Sequence, residues 1–156
     1  MVLLWTKLED LSGHDAAWAL LKECYAAETG LPLPETACTD RGKPYFIHSD
    51  YHFSLSHTDH HAFCCLSEKN VGIDAEEMNR TVSAALADKI LSPREKAKWE
   101  SSSDKEACLL RFWVLKEAYA KLTGKGLGSY LYETDFDPDD PRIQCLDGCY
   151  VAVLEE

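Results

Sequence analysis

The sequence predicts an α+β fold, and three observations carry that prediction. Two stretches, around residues 16–25 and 109–122, repeat apolar residues at helical spacing. Short runs rich in β-branched and aromatic residues, bounded by turn residues, fill most of the remaining chain. Acidic and glycine-containing turns separate the last of these runs, so the strands are expected to be mostly antiparallel and packed on helices.

In chain order, residues 2–6 read as a strand. Ser12 caps a helix with Asp15 in its first turn, Ala16, Ala17, Leu20, Leu21, Cys24 and Tyr25 form its apolar face, and Gly30 ends it. Residues 31–40, with Pro32 and Pro34, read as a linker, and Gly42-Lys43-Pro44 as a turn. Short strands follow over 45–47, 51–55 and 62–66, with a hairpin turn at 67–70 before Val71. A helix is expected over 81–91. Ser92-Pro93-Arg94-Glu95 starts another, with a capping serine, proline at the first helical position and glutamate at the third. The longest helix runs from about Asp104 to Leu122, with Leu109, Phe112, Leu115, Tyr119 and Leu122 as its buried stripe. Strands over 130–136, 143–146 and 150–154 close the chain.

A chain of 156 residues can bury a sizeable core in one domain. A formal net charge of −11 argues against a nucleic-acid partner, which requires a basic face. It leaves room for a small anion held by a local group of lysines. The apolar runs are too short to cross a membrane and the N-terminus lacks a basic-then-apolar leader, so the cytoplasm is the expected location. Seven cysteines without a Cys-x-x-Cys pair read as reduced thiols, several of them core fillers. His48, His52, His57, His60 and His61 crowd into a short span, but their spacing lacks partner cysteines and alternation scatters them over two faces.

Three carboxylates stand out. Asp74 and Glu76 share one face of an expected strand, with Ile73 on the other. Glu117 and Lys121 lie one helical turn apart, a spacing that by itself suits an ordinary surface pair. Together with lysines and the Gly124-Lys125-Gly126 loop, Asp74, Glu76 and Glu117 suggest a magnesium site handling phosphate groups.

Four ordered motifs then resemble the 4′-phosphopantetheinyl transferases of the surfactin-synthetase-activating type. They are Gly42-Lys43-Pro44-Tyr45, His52-Phe53-Ser54-Leu55-Ser56-His57, Val71-Gly72-Ile73-Asp74-Ala75-Glu76, and the stretch from Phe112 through Trp113, Lys116 and Glu117 to Lys121, continuing into Gly124-Lys125-Gly126-Leu127. The resemblance covers roughly residues 40 to 136. It implies a monomer of two small pseudo-twofold-related lobes, 1–70 and 71–156, in one compact domain. It implies Mg²⁺ on Asp74, Glu76 and Glu117, with Glu117 also the base that takes the proton of a carrier serine. Lys121, with Lys116 nearby, would meet the pyrophosphate of coenzyme A, and Lys43, Ser56 and His57 would be further coenzyme A contacts. The implied reaction moves 4′-phosphopantetheine from coenzyme A to a serine of an apo acyl or peptidyl carrier protein and releases adenosine 3′,5′-bisphosphate. Two alternatives are a homologue that binds coenzyme A or a carrier protein without turnover, and a magnesium-dependent phosphohydrolase. The first helix departs from the family pattern, since it carries Lys22 alone where relatives often carry several basic residues.

Overall fold

The computed structural model describes residues 1–126, 128 and 134–156. Capping chemistry sets the helices. Ser12 accepts the Asp15 N–H and starts α1 (Gly13–Thr29), which Gly30 closes in the left-handed conformation at φ 70°. Ser92 and Glu95 form a reciprocal capping box at the head of α3 (Pro93–Ser101). Asp104 accepts from Ala107 N–H at the start of α4 (Lys105–Thr123), and Gly124 ends it. The short α2 (Ala85–Ile90) is half the length its sequence predicts. The Ser83 hydroxyl accepts the Ala85 N–H there, a local bond that competes with helix, and β-branched Thr81 and Val82 stay outside it.

The strands form two three-stranded antiparallel sheets with one repeated plan. In the first, β1 (Val2–Lys7), β4 (His52–His57) and β5 (His61–Ser67) lie in the order β1-β5-β4. In the second, β6 (Val71–Glu77), β7 (Ile143–Leu146) and β8 (Cys149–Glu155) lie in the order β6-β8-β7. Counting only these sheet strands and the helices packed on them, α1 and α4, each half runs strand, helix, strand, strand, with the last strand central. The chain crosses from one sheet to the other at 67–70, so that turn is a crossover and not the hairpin its composition suggests. The expected linker holds a strand of its own, β2 (Thr36–Cys38), paired with β3 (Pro44–Phe46) around the Gly42 turn. Flanking prolines hide so short a strand from a pattern reading. Of the strand expected over 130–136, residues 130–133 lie outside the described residues, and 134–136 are irregular.

Alternation along β5 and β8 builds three cores. Ala62, Cys64 and Leu66 face α1, whereas Phe63 and Cys65 meet Ile73, Ala75, Val151 and Val153 between the sheets. Ala152 and Leu154 pack beneath α4 with Leu115, Ala118 and Leu122. Gly72 lets α4 approach β6: a Cβ there would stand 2.1 Å from the Ala118 carbonyl oxygen.

The structure corrects the expected role of Lys116. Its ammonium is fully buried on the core side of α4, 2.8 Å from Glu95 Oε2, and it donates to the Thr134 carbonyl at 3.1 Å. The Glu95 carboxylate also accepts the N–H groups of Ser92 and Phe136, so one satisfied pair ties α3, α4 and the 134–136 segment together. Lys116 is one residue from Glu117 and therefore about 100° around the helix from it. Replacing Lys116 with Met strands a buried carboxylate and should destabilise the fold by about 3–5 kcal/mol. The double variant Glu95→Gln/Lys116→Met should recover only part of that loss in urea unfolding, because the amide nitrogen faces one of the two backbone N–H groups that Glu95 accepts. A single Lys116→Met variant as stable as the wild type would contradict this structural assignment.

Candidate active site

The site lies where the edges of the two sheets meet. β4 and β6 are edge strands of separate sheets, and the N–H groups of Ile73 and Ala75 point from β6 toward β4. Ser54 Oγ accepts the first at 3.1 Å and Ser56 Oγ the second at 3.2 Å, so two side chains stand in for a backbone ladder. The Ser56 hydroxyl in turn donates to Asp74 Oδ1 at 3.0 Å. Ser56 is thus buried and engaged in the frame that holds Asp74.

From the opposite wall, α4 presents Trp113, Glu117 and Lys121, three residues at successive i, i+4 positions on one stripe. The Lys121 ammonium donates to Asp74 Oδ1 at 2.8 Å and to the Leu55 carbonyl at 3.2 Å, linking all three elements of the seam. The Trp113 indole N–H donates to Glu76 Oε1 at 2.9 Å, and the Arg80 guanidinium binds the same oxygen. These side chains line a cleft of about 500 Å³ that also receives His14, Trp18 and His57. A neighbouring cavity of about 270 Å³ shares Gly42, Pro44, Leu55, Glu117 and Lys121 with it.

The cleft brings together Asp74, Glu76, Glu117, Lys121, Ser56 and His57; of the two other expected residues, one lies elsewhere and one borders the smaller cavity. Lys116 is on the other face of α4, as above. Lys43 borders the smaller cavity, but its ammonium donates to Asn70 Oδ1 and to the Leu122 carbonyl, both at 2.7 Å. It ties the Gly42 turn to the end of α4, and burial lowers its pKa. The His57 ring stacks on the start of α1, where a Cβ on Gly13 would come within 2.6 Å of it. Trp113 and Arg80 were not assigned roles from sequence. The four-residue spacing from Trp113 through Glu117 to Lys121 is the signal that marks the first, whereas the Arg80 contact depends on how the chain turns after β6.

Burial, then the Asp74 carboxylate, push the Glu117 carboxyl up to about 7, against the opposing pull of Lys121. Burial likewise raises the Asp74 carboxyl above the usual range despite Lys121 and Ser56. Asp74 Oδ2 is buried and lacks a hydrogen-bond partner among the described residues. Among those residues no three His, Cys, Asp or Glu side chains converge tightly enough to enclose an ion. Mg²⁺ needs no such cage: one or two carboxylates, completed by water and phosphate oxygens, satisfy its octahedron. An orphaned carboxylate oxygen beside two further carboxylates in an open cleft fits a hard divalent cation on those terms.

The sequence model of the 4′-phosphopantetheinyl transferase superfamily matches residues 70–148, just over half of the chain. The chain belongs to this superfamily. It is 37% identical over 95 residues to the 4′-phosphopantetheinyl transferase HetI of Nostoc sp., covering 56% of this chain and 40% of that protein. It is 32% identical over 111 residues to the 4′-phosphopantetheinyl transferase psf-1 of Bacillus pumilus, covering 69% of this chain and 46% of the relative. A third relative, the transferase gsp of Aneurinibacillus migulanus, is 32% identical over 88 residues, covering 55% of this chain and 36% of its own length. The chain thus spans less than half the length of these curated relatives. The superfamily match contains β6, α3 and α4, and so includes Asp74, Glu76, Glu117 and Lys121. No helix among the described residues is long and apolar enough to cross a membrane.

The raised Glu117 carboxyl makes stability depend on pH. Its folded value near 7 exceeds the ordinary 4.5, so the folded state binds the extra proton between those limits and stability falls as pH rises through them. Asp74 acts in the same direction from about 3.8 upward. The lowered carboxyls of Glu77, Asp137, Asp140, Asp147 and Glu155 act below this window. Urea unfolding in EDTA should therefore give a more stable protein at pH 5 than at pH 7.5, and Glu117→Gln should flatten the difference. Equal slopes in the two proteins would refute the assignment.

Proposed function

We propose that this protein transfers 4′-phosphopantetheine from coenzyme A to a serine of an apo acyl or peptidyl carrier protein, with Mg²⁺, releasing adenosine 3′,5′-bisphosphate. The observation that carries the reading is the meeting of the Trp113–Glu117–Lys121 stripe with Asp74 and Glu76 in one open cleft, in a member of this superfamily. Asp74, Glu76 and Glu117 are the residues that would hold the ion. When bound, Mg²⁺ would neutralise pyrophosphate charge and orient the phosphorus for attack.

The chain's own residues account for the remaining chemistry. Glu117 faces the open cleft, where its carboxylate is placed to take the proton of the carrier serine. The serine oxygen then bonds to the β-phosphorus as the bond to the bridging oxygen breaks, and the electron pair leaves on adenosine 3′,5′-bisphosphate. Lys121 spends two donors on Asp74 and Leu55, leaving a third for an oxygen of the leaving phosphate. His57 and His14 line the same cleft and would face the coenzyme. The protein acts as a cytoplasmic monomer in this reading, built from an N-terminal lobe over 1–70 and a C-terminal lobe over 71–156.

The test is incubation of the protein with an apo carrier protein, coenzyme A and Mg²⁺, reading the phosphopantetheine mass shift on the carrier. Lys121→Met should lower kcat by roughly 10²–10³. Asp74→Ala should abolish transfer while the fold survives. A wild-type protein that binds coenzyme A without a mass shift would identify a non-catalytic homologue instead, and release of free phosphate would identify a phosphohydrolase.

The cleft also predicts donor selectivity. α1 contributes no lysine or arginine to it, and of the two cations bordering the neighbouring cavity, Arg41 and Lys43, the second spends two of its three donors on Asn70 and Leu122. A 3′-phosphate would meet histidines or an exposed cation, contacts worth about 1–2 kcal/mol. Coenzyme A should therefore be preferred over dephospho-coenzyme A by only on the order of tenfold in kcat/KM. A thousandfold preference would require a basic pocket that these residues do not form.

A further inference from the structure

Glu76 is held by two donors of opposite character. Trp113 is half-buried, packed against the core beneath α4, and its indole N–H fixes Glu76 Oε1 at 2.9 Å. Arg80 sits on the turn after β6, its N–H on the Glu77 carbonyl, with a side chain 51% exposed against 15% for Glu76. An exposed ion pair on a long, flexible side chain is readily exchanged. Arg80 also borders a third basin, about 600 Å³, formed by Thr58, Asp59, His60, Glu77 and Asn79 beside Glu76. Within that basin Glu77 is already engaged by His60 and Thr58, whereas Asp59 is an exposed carboxylate within the field of the guanidinium. Of the two cations paired with carboxylates of the cleft, Lys121 serves the phosphate in the proposed reaction, and Arg80 has no part in it.

We propose that Arg80 is a tethered counter-ion, which occupies Glu76 until a divalent cation takes that carboxylate and then swings toward Asp59, while Trp113 holds the carboxylate in position in both states. The inference rests on the reading of Asp74, Glu76 and Glu117 as a divalent-cation site. The two donors then oppose each other. Arg80 competes with the ion, because a positive charge a few ångströms away repels it. Trp113 favours the ion, because a hydrogen bond to a ligating carboxylate orients it and removes its freedom to turn away.

The experiment is direct binding of Mn²⁺ to the whole chain, followed by the loss of the free-ion signal in electron paramagnetic resonance. Melting temperatures in EDTA and in Mg²⁺ are measured alongside. Arg80→Met should bind Mn²⁺ about tenfold more tightly than the wild type. It should also melt lower in EDTA, where three carboxylates lose a counter-charge, and gain more on adding Mg²⁺. Arg80→Lys keeps the charge and should stay near the wild-type affinity. Trp113→Phe should bind about tenfold more weakly. An Arg80→Met protein with unchanged or weaker Mn²⁺ affinity overturns the counter-ion role, and unchanged affinity in Trp113→Phe overturns the positioning role. A wild type that binds no Mn²⁺ at millimolar concentration overturns the cation site itself, which separates that failure from the other two.

Discussion

The contact on which the rest of the molecule depends is the seam between β4 and β6. Two sheet edges would ordinarily leave rows of unpaired N–H and carbonyl groups. Here Ser54 and Ser56 turn their hydroxyls onto the Ile73 and Ala75 N–H groups, closing the edge of β6 without merging the sheets. A continuous ladder would draw the two backbones to about 4.8 Å and leave no room for side chains between them. The serine bridge keeps the edges apart and leaves the hydroxyl proton of Ser56 to Asp74. The cleft exists because the seam is made by side chains.

Two lysines five residues apart on α4 show how environment divides chemically identical groups. Lys116 meets Glu95 in the dry core, where Ser92, Thr134 and Phe136 satisfy the surrounding valences. Such a pair holds structure and does little else. Lys121 meets Asp74 at the cleft, where one carboxylate oxygen stays unsatisfied and the neighbouring Glu117 is pushed up to about 7. Burial without full compensation is costly to stability, and that same lack of compensation makes the groups responsive to an incoming cation or phosphate. The chain carries a net charge of −11, and at its cleft two of the three carboxylates, Asp74 and Glu76, are paired with tethered cations.

Much of this was legible in the residues. Ser12 and Ser92 announced their helices, because capping is a contact between groups three residues apart. Glu117 and Lys121 on one face of a helix, Asp74 with Glu76 on a strand, and the α+β class followed from periodicity, and the superfamily from the resemblance of four ordered motifs. The tertiary structure decided what local pattern cannot carry. It turned the 67–70 segment into a crossover, drew a strand from the proline-flanked 36–38 segment, and gave Ser54 and Ser56 their partners nineteen residues away. It also allotted the lysines. Lys43 went to the end of α4, Lys116 to the core and Lys121 to the cleft, since the partner of a long, flexible cation is set by which distant carboxylate or carbonyl the fold brings within its reach.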